Sequence, residues 1–81
     1  MTKKEKIIKE VKENLDKVKK IDLRYDDFGN TGQIKDFKKE AFIEYFLNNP
    51  LYKVFIIKEV NKIIVIFEMD FYYYEFTLYL E

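Results

Sequence analysis

The stretch Ile63 to Tyr74 is dominated by β-branched and aromatic residues and contains neither Gly nor Pro. Such side chains suit a pleated, half-buried surface and lose χ1 freedom against the preceding turn of a helix, so the stretch predicts the central strand of a sheet. Along it, Ile63, Val65, Phe67, Met69, Phe71 and Tyr73 form one apolar face, which is assigned to the helices. The other face reads Ile64, Ile66, Glu68, Asp70, Tyr72 and Tyr74, apolar at its ends and acidic in its middle. Further on, Phe76, Leu78 and Leu80 continue this second parity, so the buried side changes near Tyr73 to Glu75. A period-two pattern changes faces only at a bulge or a turn. Two outcomes are open: a tight turn into a separate last strand, or one long strand with a pronounced bend.

The residues upstream supply partners for that strand. Thr2-Lys3-Lys4-Glu5 has the spacing of a capping box and predicts a helix start. Ile7, Val11, Leu15 and Val18, with Ile8 beside them, make a narrow apolar stripe on this charged helix. Glu5/Lys9, Glu13/Lys17 and Asp16/Lys20 stand as acid-before-base pairs, each worth roughly 0.2–0.5 kcal/mol. Ile21 to Asp26 alternates strictly and predicts a short strand, ended by a loop from Asp26 to Gly32 that holds both glycines of the chain. Asp36 is placed as the N-cap of a second helix from Phe37 to Leu47, stopped by Asn48-Asn49-Pro50. Its wide apolar face predicts packing on the sheet and against a further surface. Leu51 to Glu59 reads as another strand, turning at Asn61-Lys62 into the long one. The expected fold is a single α+β domain over residues 1–81, with two helices packed on one face of a small antiparallel sheet of three to four strands.

What the chain lacks narrows its function. His, Cys, Ser and Trp do not occur in its 81 residues. Without His there is no ordinary acid or base near neutral pH, and without Ser or Cys the common activated nucleophiles are missing. The expectation is a protein that is not an enzyme, with no cofactor, no metal and no catalytic residue; carboxylate–metal chemistry is the remaining enzymatic alternative. Asp27-Phe28-Gly29 spells the kinase metal-binding tripeptide, but the glycine-rich and catalytic loops that give it meaning are not there. Asp26, Asp27 and Asn30 lie close together without the ligand spacing of a calcium loop, and turn chemistry accounts for them.

Formal charge is zero overall, but residues 1–20 carry eight Lys against four acids, whereas Ile63 to Glu81 carries four acids and no base. A partner-facing charge is therefore expected to be acidic at the sheet end, and Asp26, Asp27, Glu68 and Asp70 are the candidate partner-binding residues. Because two helices can cover only one side of a small sheet, Ile64, Ile66, Tyr72 and Tyr74 are the candidate interface of a homodimer. The Lys-rich first helix offers the alternative of a small nucleic-acid-binding module, to which the neutral net charge lends no help. The Lys-rich opening and the short apolar run at Ile63 to Phe67 predict neither a signal peptide nor a membrane span, and the expected location is cytoplasmic.

Three stretches together carry a resemblance. They are Val18 to Asp26, a Lys-rich helix end running into Ile-Asp-Leu; Lys38-Lys39-Glu40-Ala41-Phe42, followed by an acidic-apolar helix and Asn49 to Val54; and Phe67-Glu68-Met69-Asp70-Phe71 with its trailing tyrosines. In these and in the order of elements the chain resembles a family of small proteins from crenarchaeal viruses that includes the type I-D anti-CRISPR. The resemblance implies a small α+β homodimer that inhibits a host antiviral interference complex by binding its large subunit, in the host cytoplasm. It assigns no role to any individual residue.

Overall fold

The computed structural model describes residues 2–49 and 53–81, and within them an α+β domain follows from a few local decisions. Helix α1 (Lys3–Asn14) starts where the capping box places it. The Glu5 amide donates to the Thr2 hydroxyl oxygen at 3.1 Å, and that hydroxyl donates to the Glu5 carboxylate at 3.2 Å. The helix ends earlier than its stripe predicts: the Asn14 side chain folds back onto the Glu10 carbonyl at 2.8 Å, and a single 3₁₀ turn (Leu15–Lys17) follows. Ile7 and Val11 are buried from the helix, whereas Val18 already belongs to strand β1 (Val18–Asp27). Asp16 and Lys20 therefore share no helix. Among the described residues the helical ion pair with i,i+4 spacing is Lys9–Glu13 at 3.9 Å, in the base-before-acid order.

Strand β1 turns through Phe28-Gly29 into strand β2 (Asn30–Ile34), pairing Leu23 with Ile34 and Asp27 with Asn30. The expected loop is thus largely a strand. Its residues are polar and lack alternation, and only the exposed edge of β1 gives them a ladder to join. Helix α2 (Lys39–Asn48) begins later than expected, with Lys38 rather than Asp36 at its N-cap. Asp36 instead adopts a left-handed backbone, φ 56°, and its amide donates to the Asp22 carboxylate at 3.2 Å. The cause is tertiary: the Phe37 amide donates to the Ile21 carbonyl at 2.7 Å, which draws this segment onto β1 and sets the Phe37 ring edge-on to Phe76. The expected helix stop at Asn48-Asn49-Pro50 is met in part, with Asn49 as C-cap; Pro50, Leu51 and Tyr52 lie outside the described residues.

The remaining strands are β3 (Val54–Lys58), β4 (Lys62–Met69) and β5 (Tyr72–Leu80). Ile63 to Tyr74 is therefore two strands, joined at Asp70-Phe71, which is the tight-turn outcome. The sheet has five strands in the order β2-β1-β5-β4-β3, against the three to four expected, and every neighbouring pair is antiparallel. α2 carries the chain from one sheet edge to the other.

Both helices cover the same face. Ile7 and Val11 of α1 and Phe42 and Phe46 of α2 meet Ile21, Leu23, Val54, Ile63, Val65, Phe67, Phe76 and Leu78 in one core, and no charged residue is buried among the described residues. Phe76 sits at its middle, edge-on to Phe42 with ring centroids 5.0 Å apart and to Phe67 at 6.0 Å.

The register also separates the four residues expected to share an open face. Phe67 pairs with Tyr74 and Met69 with Tyr72, so both tyrosines point to the helix side, where Tyr74 stacks on Tyr45 of α2 at 5.2 Å. Ile64 and Ile66 point the other way, and each stands opposite an exposed residue of the edge strand, Ile57 and Phe55. The two-residue turn is the reason: it consumes Asp70 and Phe71 and reverses the chain, so the parity count cannot be carried from β4 into β5.

Candidate functional site: an acidic and aromatic tip

At one end of the sheet the turns of two hairpins lie side by side. Phe28 and Gly29 of the β1–β2 turn have φ of 52° and 86°, the positive values that a two-residue hairpin of right-handed twist demands. Gly29 meets this demand at no steric cost; Phe28 does not, because a left-handed backbone brings Cβ against the following carbonyl. Local bonds hold the turn: the Gly29 amide donates to the Asp26 carboxylate at 3.1 Å, and the Phe28 amide donates to the Phe71 carbonyl in the neighbouring turn at 2.8 Å. That main-chain link fixes one tip against the other.

The link sets the two phenyl rings parallel, 22° between their planes and 6.0 Å between their centroids. Both stand in solvent, Phe28 72% exposed and Phe71 70%, with Met69 beside them half as exposed. Beside them at the end of the sheet is an open hollow of about 410 Å³, lined by Asp26, Glu68, Asp70, Phe28, Phe71 and Tyr73, with Met69 and Tyr72 also at its wall. The acids reach it from three places: Asp26 from β1, Glu68 from β4 and Asp70 from the β4–β5 turn.

Three of the four acids expected to bind a partner thus come together. Asp27 does not join them. Being one residue further along β1, it faces the helix side, where the Tyr74 hydroxyl donates to its carboxylate across a long 3.5 Å. Tyr72 and Tyr74 stack there at 4.6 Å, and Tyr25 lies on Tyr74 at 5.7 Å. Burial pushes the Tyr72 hydroxyl up to about 12, with Tyr74 and then Asp27 adding to the effect; burial also raises Tyr74, with Asp27 as the next cause. Tyr72 and Tyr74 therefore stay neutral at any ordinary pH.

On the open face beside the hollow, Glu75 is held by two donors. The Tyr73 hydroxyl donates to it at 2.6 Å and the Arg24 guanidinium at 3.2 Å. This consumes the chain's one arginine within the sheet. Lys3 of α1 lies over the Phe55 ring at 4.9 Å, and Lys53 ahead of β3 is itself engaged. Neither of the segments that build the tip, residues 25–34 and 63–81, contains a lysine or an arginine.

Among the described residues no three carboxylates approach closely enough to hold a metal ion, and no helix is long and apolar enough to cross a membrane. The tip can accept hydrogen bonds, attract cations and offer flat apolar surface. The sequence reading missed Phe28 and Phe71. A signal for Phe28 was present in Phe28-Gly29, a glycine-bearing pair two residues wide after an alternating strand, whereas Asp70-Phe71 offers only a lone Asp within a run of strand-forming residues. No protein-family model, curated protein or solved structure matches this chain.

Proposed function

We propose that this protein is a non-catalytic binding protein that presses its acidic and aromatic tip onto a basic surface of a protein partner, and so blocks that partner. The observation that carries the proposal is the convergence of Asp26, Glu68 and Asp70 on one hollow beside two exposed, parallel phenyl rings. Exposed rings on rigid hairpins supply contact area at little entropic cost, and carboxylates around them steer a cationic surface into place. The absence of His, Cys and Ser from the chain supports a role in binding rather than turnover.

Surfaces that handle nucleic acid are basic, and a compact acidic projection competes there with phosphate. The resemblance to the viral family makes the large subunit of a type I-D interference complex the first target to try. Titration of that subunit by calorimetry is the test. Saturable binding by the wild type and its loss in an Asp26→Asn, Glu68→Gln, Asp70→Asn variant is the expected result; equal binding by both proteins removes the tip from the reading. Fluorescence anisotropy on mixed-sequence DNA and RNA at low salt addresses the Lys-rich α1, and tight, salt-sensitive binding would favour the nucleic-acid module instead.

The proposal includes a homodimer, with its interface moved. Phe55, Ile57, Ile64 and Ile66 pair directly across β3 and β4 on the helix-free face, with Phe55 50% and Ile57 48% exposed. The four side chains are apolar and contiguous, with the Lys3 ammonium over Phe55 at the rim, and such a quartet suits a two-fold contact. Light scattering tests it: a dimer at micromolar concentration that Ile66→Lys converts to monomer is expected, and a wild-type monomer at high concentration refutes it.

A further inference from the structure

We infer that the hollow beside Phe28 and Phe71 recognises an arginine side chain of the partner protein, which lies flat against the phenyl pair and donates its guanidinium hydrogen bonds to the surrounding carboxylates. The inference rests on the proposed binding role of the tip and names the group that the tip engages.

The first ground is the position of Phe28. A hairpin turn with two positive φ values favours Asn or Gly at its first position, and there Phe bears both the left-handed strain and the exposure of most of its ring. Folding accounts for neither. The second ground is order: the 2.8 Å link from the Phe28 amide to the Phe71 carbonyl holds the rings 22° from parallel before anything binds. The stacked pair stands in solvent at the mouth of a hollow and is not a plug within a core.

The third ground is charge. Asp26, Glu68 and Asp70 line the hollow, Arg24 is bonded to Glu75, and the two tip segments contain no cation of their own. An apolar plug would have to desolvate these carboxylates without bonding them, which is costly. A cation that can also stack on a ring meets both demands. Arginine does so better than lysine, because its planar guanidinium lies against an aromatic face while its fork of donors serves carboxylates in the same plane. Lysine can sit over a ring, as Lys3 does over Phe55, but its strongly hydrated point charge has neither the flat stacking face nor the fork of donors.

The test uses three uncharged-backbone peptides that differ only in two side chains, arginine, lysine or citrulline, titrated into the full chain carrying ¹³C-labelled phenylalanine. Chemical-shift changes at Phe28 and Phe71 with the arginine peptide, at a Kd roughly fivefold or more below that for the lysine peptide, are expected, with no response to citrulline. Phe28→Asn, which suits the turn, should abolish the preference for arginine while leaving the core phenylalanine signals in place; Phe71→Ala gives the same reading from the other hairpin. Equal affinity for arginine and lysine, or shifts confined to other parts of the sheet, would overturn the inference. The two proposals fail separately: a target that binds wild type and Phe28→Asn alike removes arginine recognition and keeps a partner-binding protein, whereas arginine selectivity without binding to the interference subunit keeps the site and removes that target.

Discussion

Phe76 and Phe28 are the same residue in opposite circumstances. Phe76 is fully buried and lies against the rings of Phe37, Phe42, Tyr45 and Phe67. Phe28 is mostly exposed on a strained turn, and its ring partner Phe71 is equally exposed. The middle of the sheet uses aromatic rings to hold the fold, and one end displays them. The difference follows from coverage, because α1 and α2 reach over the middle of the sheet, whereas the β1–β2 and β4–β5 turns project past both helices into solvent. A residue that adds nothing to the fold at some conformational cost is a residue to be explained by binding.

The contrast can be broken by substitution. Phe76→Ala should cost about 3–5 kcal/mol, enough to unfold much of a domain this small, and urea denaturation followed by circular dichroism checks it. Gly32→Ala should cost about 1–3 kcal/mol, since a Cβ there would run into the Tyr25 ring and dislodge its stack on Tyr74. The same denaturation experiment serves.

Alkali acts on the tyrosines between these two regions. Tyr72, Tyr73 and Tyr74 are all raised by burial, with the Glu75 hydrogen bond the next cause for Tyr73. A group raised on folding favours the fold in its neutral form, so this contribution is intact below the unfolded value near pH 10 and is lost as pH climbs toward the folded value of about 12 for Tyr72. Stability should stay level up to about pH 10 and then fall, less steeply in Tyr72→Phe. Denaturation midpoints across that range, with an ultraviolet titration of the phenols, give the answer.

Phe28→Asn should act in the reverse sense to every core change and stabilise the protein by about 0.5–1 kcal/mol, because Asn accepts the left-handed turn more readily. A rise in the urea midpoint together with loss of arginine selectivity would sharpen the contrast between core and tip; a fall in the midpoint would show that the exposed ring supports the fold after all. Arg24→Ala should matter least, about 0.5 kcal/mol, as a largely exposed partner of Glu75.

Much of the helix-facing core was legible because burial imposes periodicity. The capping box at Thr2 and Glu5, the alternation of Ile21, Leu23 and Tyr25, and the apolar faces of β4 and of Phe76 to Leu80 each have a local cause that survives in the chain order. β2 was not legible, since polar residues on an edge strand take their conformation from the neighbour's backbone. Nor was the N-terminus of α2, where the hydrogen bond from the Phe37 amide to the Ile21 carbonyl overrode a good capping residue. The candidate site was half legible. Asp26, Glu68 and Asp70 were named for their charge, but Asp27 falls on the helix side because neighbouring residues of β1 alternate faces, and the two tyrosines do so because the two-residue β4–β5 turn resets the parity count.

What the chain alone determined is its chemistry and its class: a domain without the usual reactive side chains, rich in rings and branched carbons, acidic toward its end, built of helices and antiparallel strands. These depend on composition and on near-neighbour spacing, which the order of residues states outright. What only the tertiary structure decided is which rings are hidden and which are shown. Phe28 and Phe71 lie far apart in sequence, and they form a surface only because β5 brings the ends of β1 and β4 together and one main-chain hydrogen bond ties their turns. Strand pairing between distant segments is a property of the whole sheet, and no local pattern encodes it.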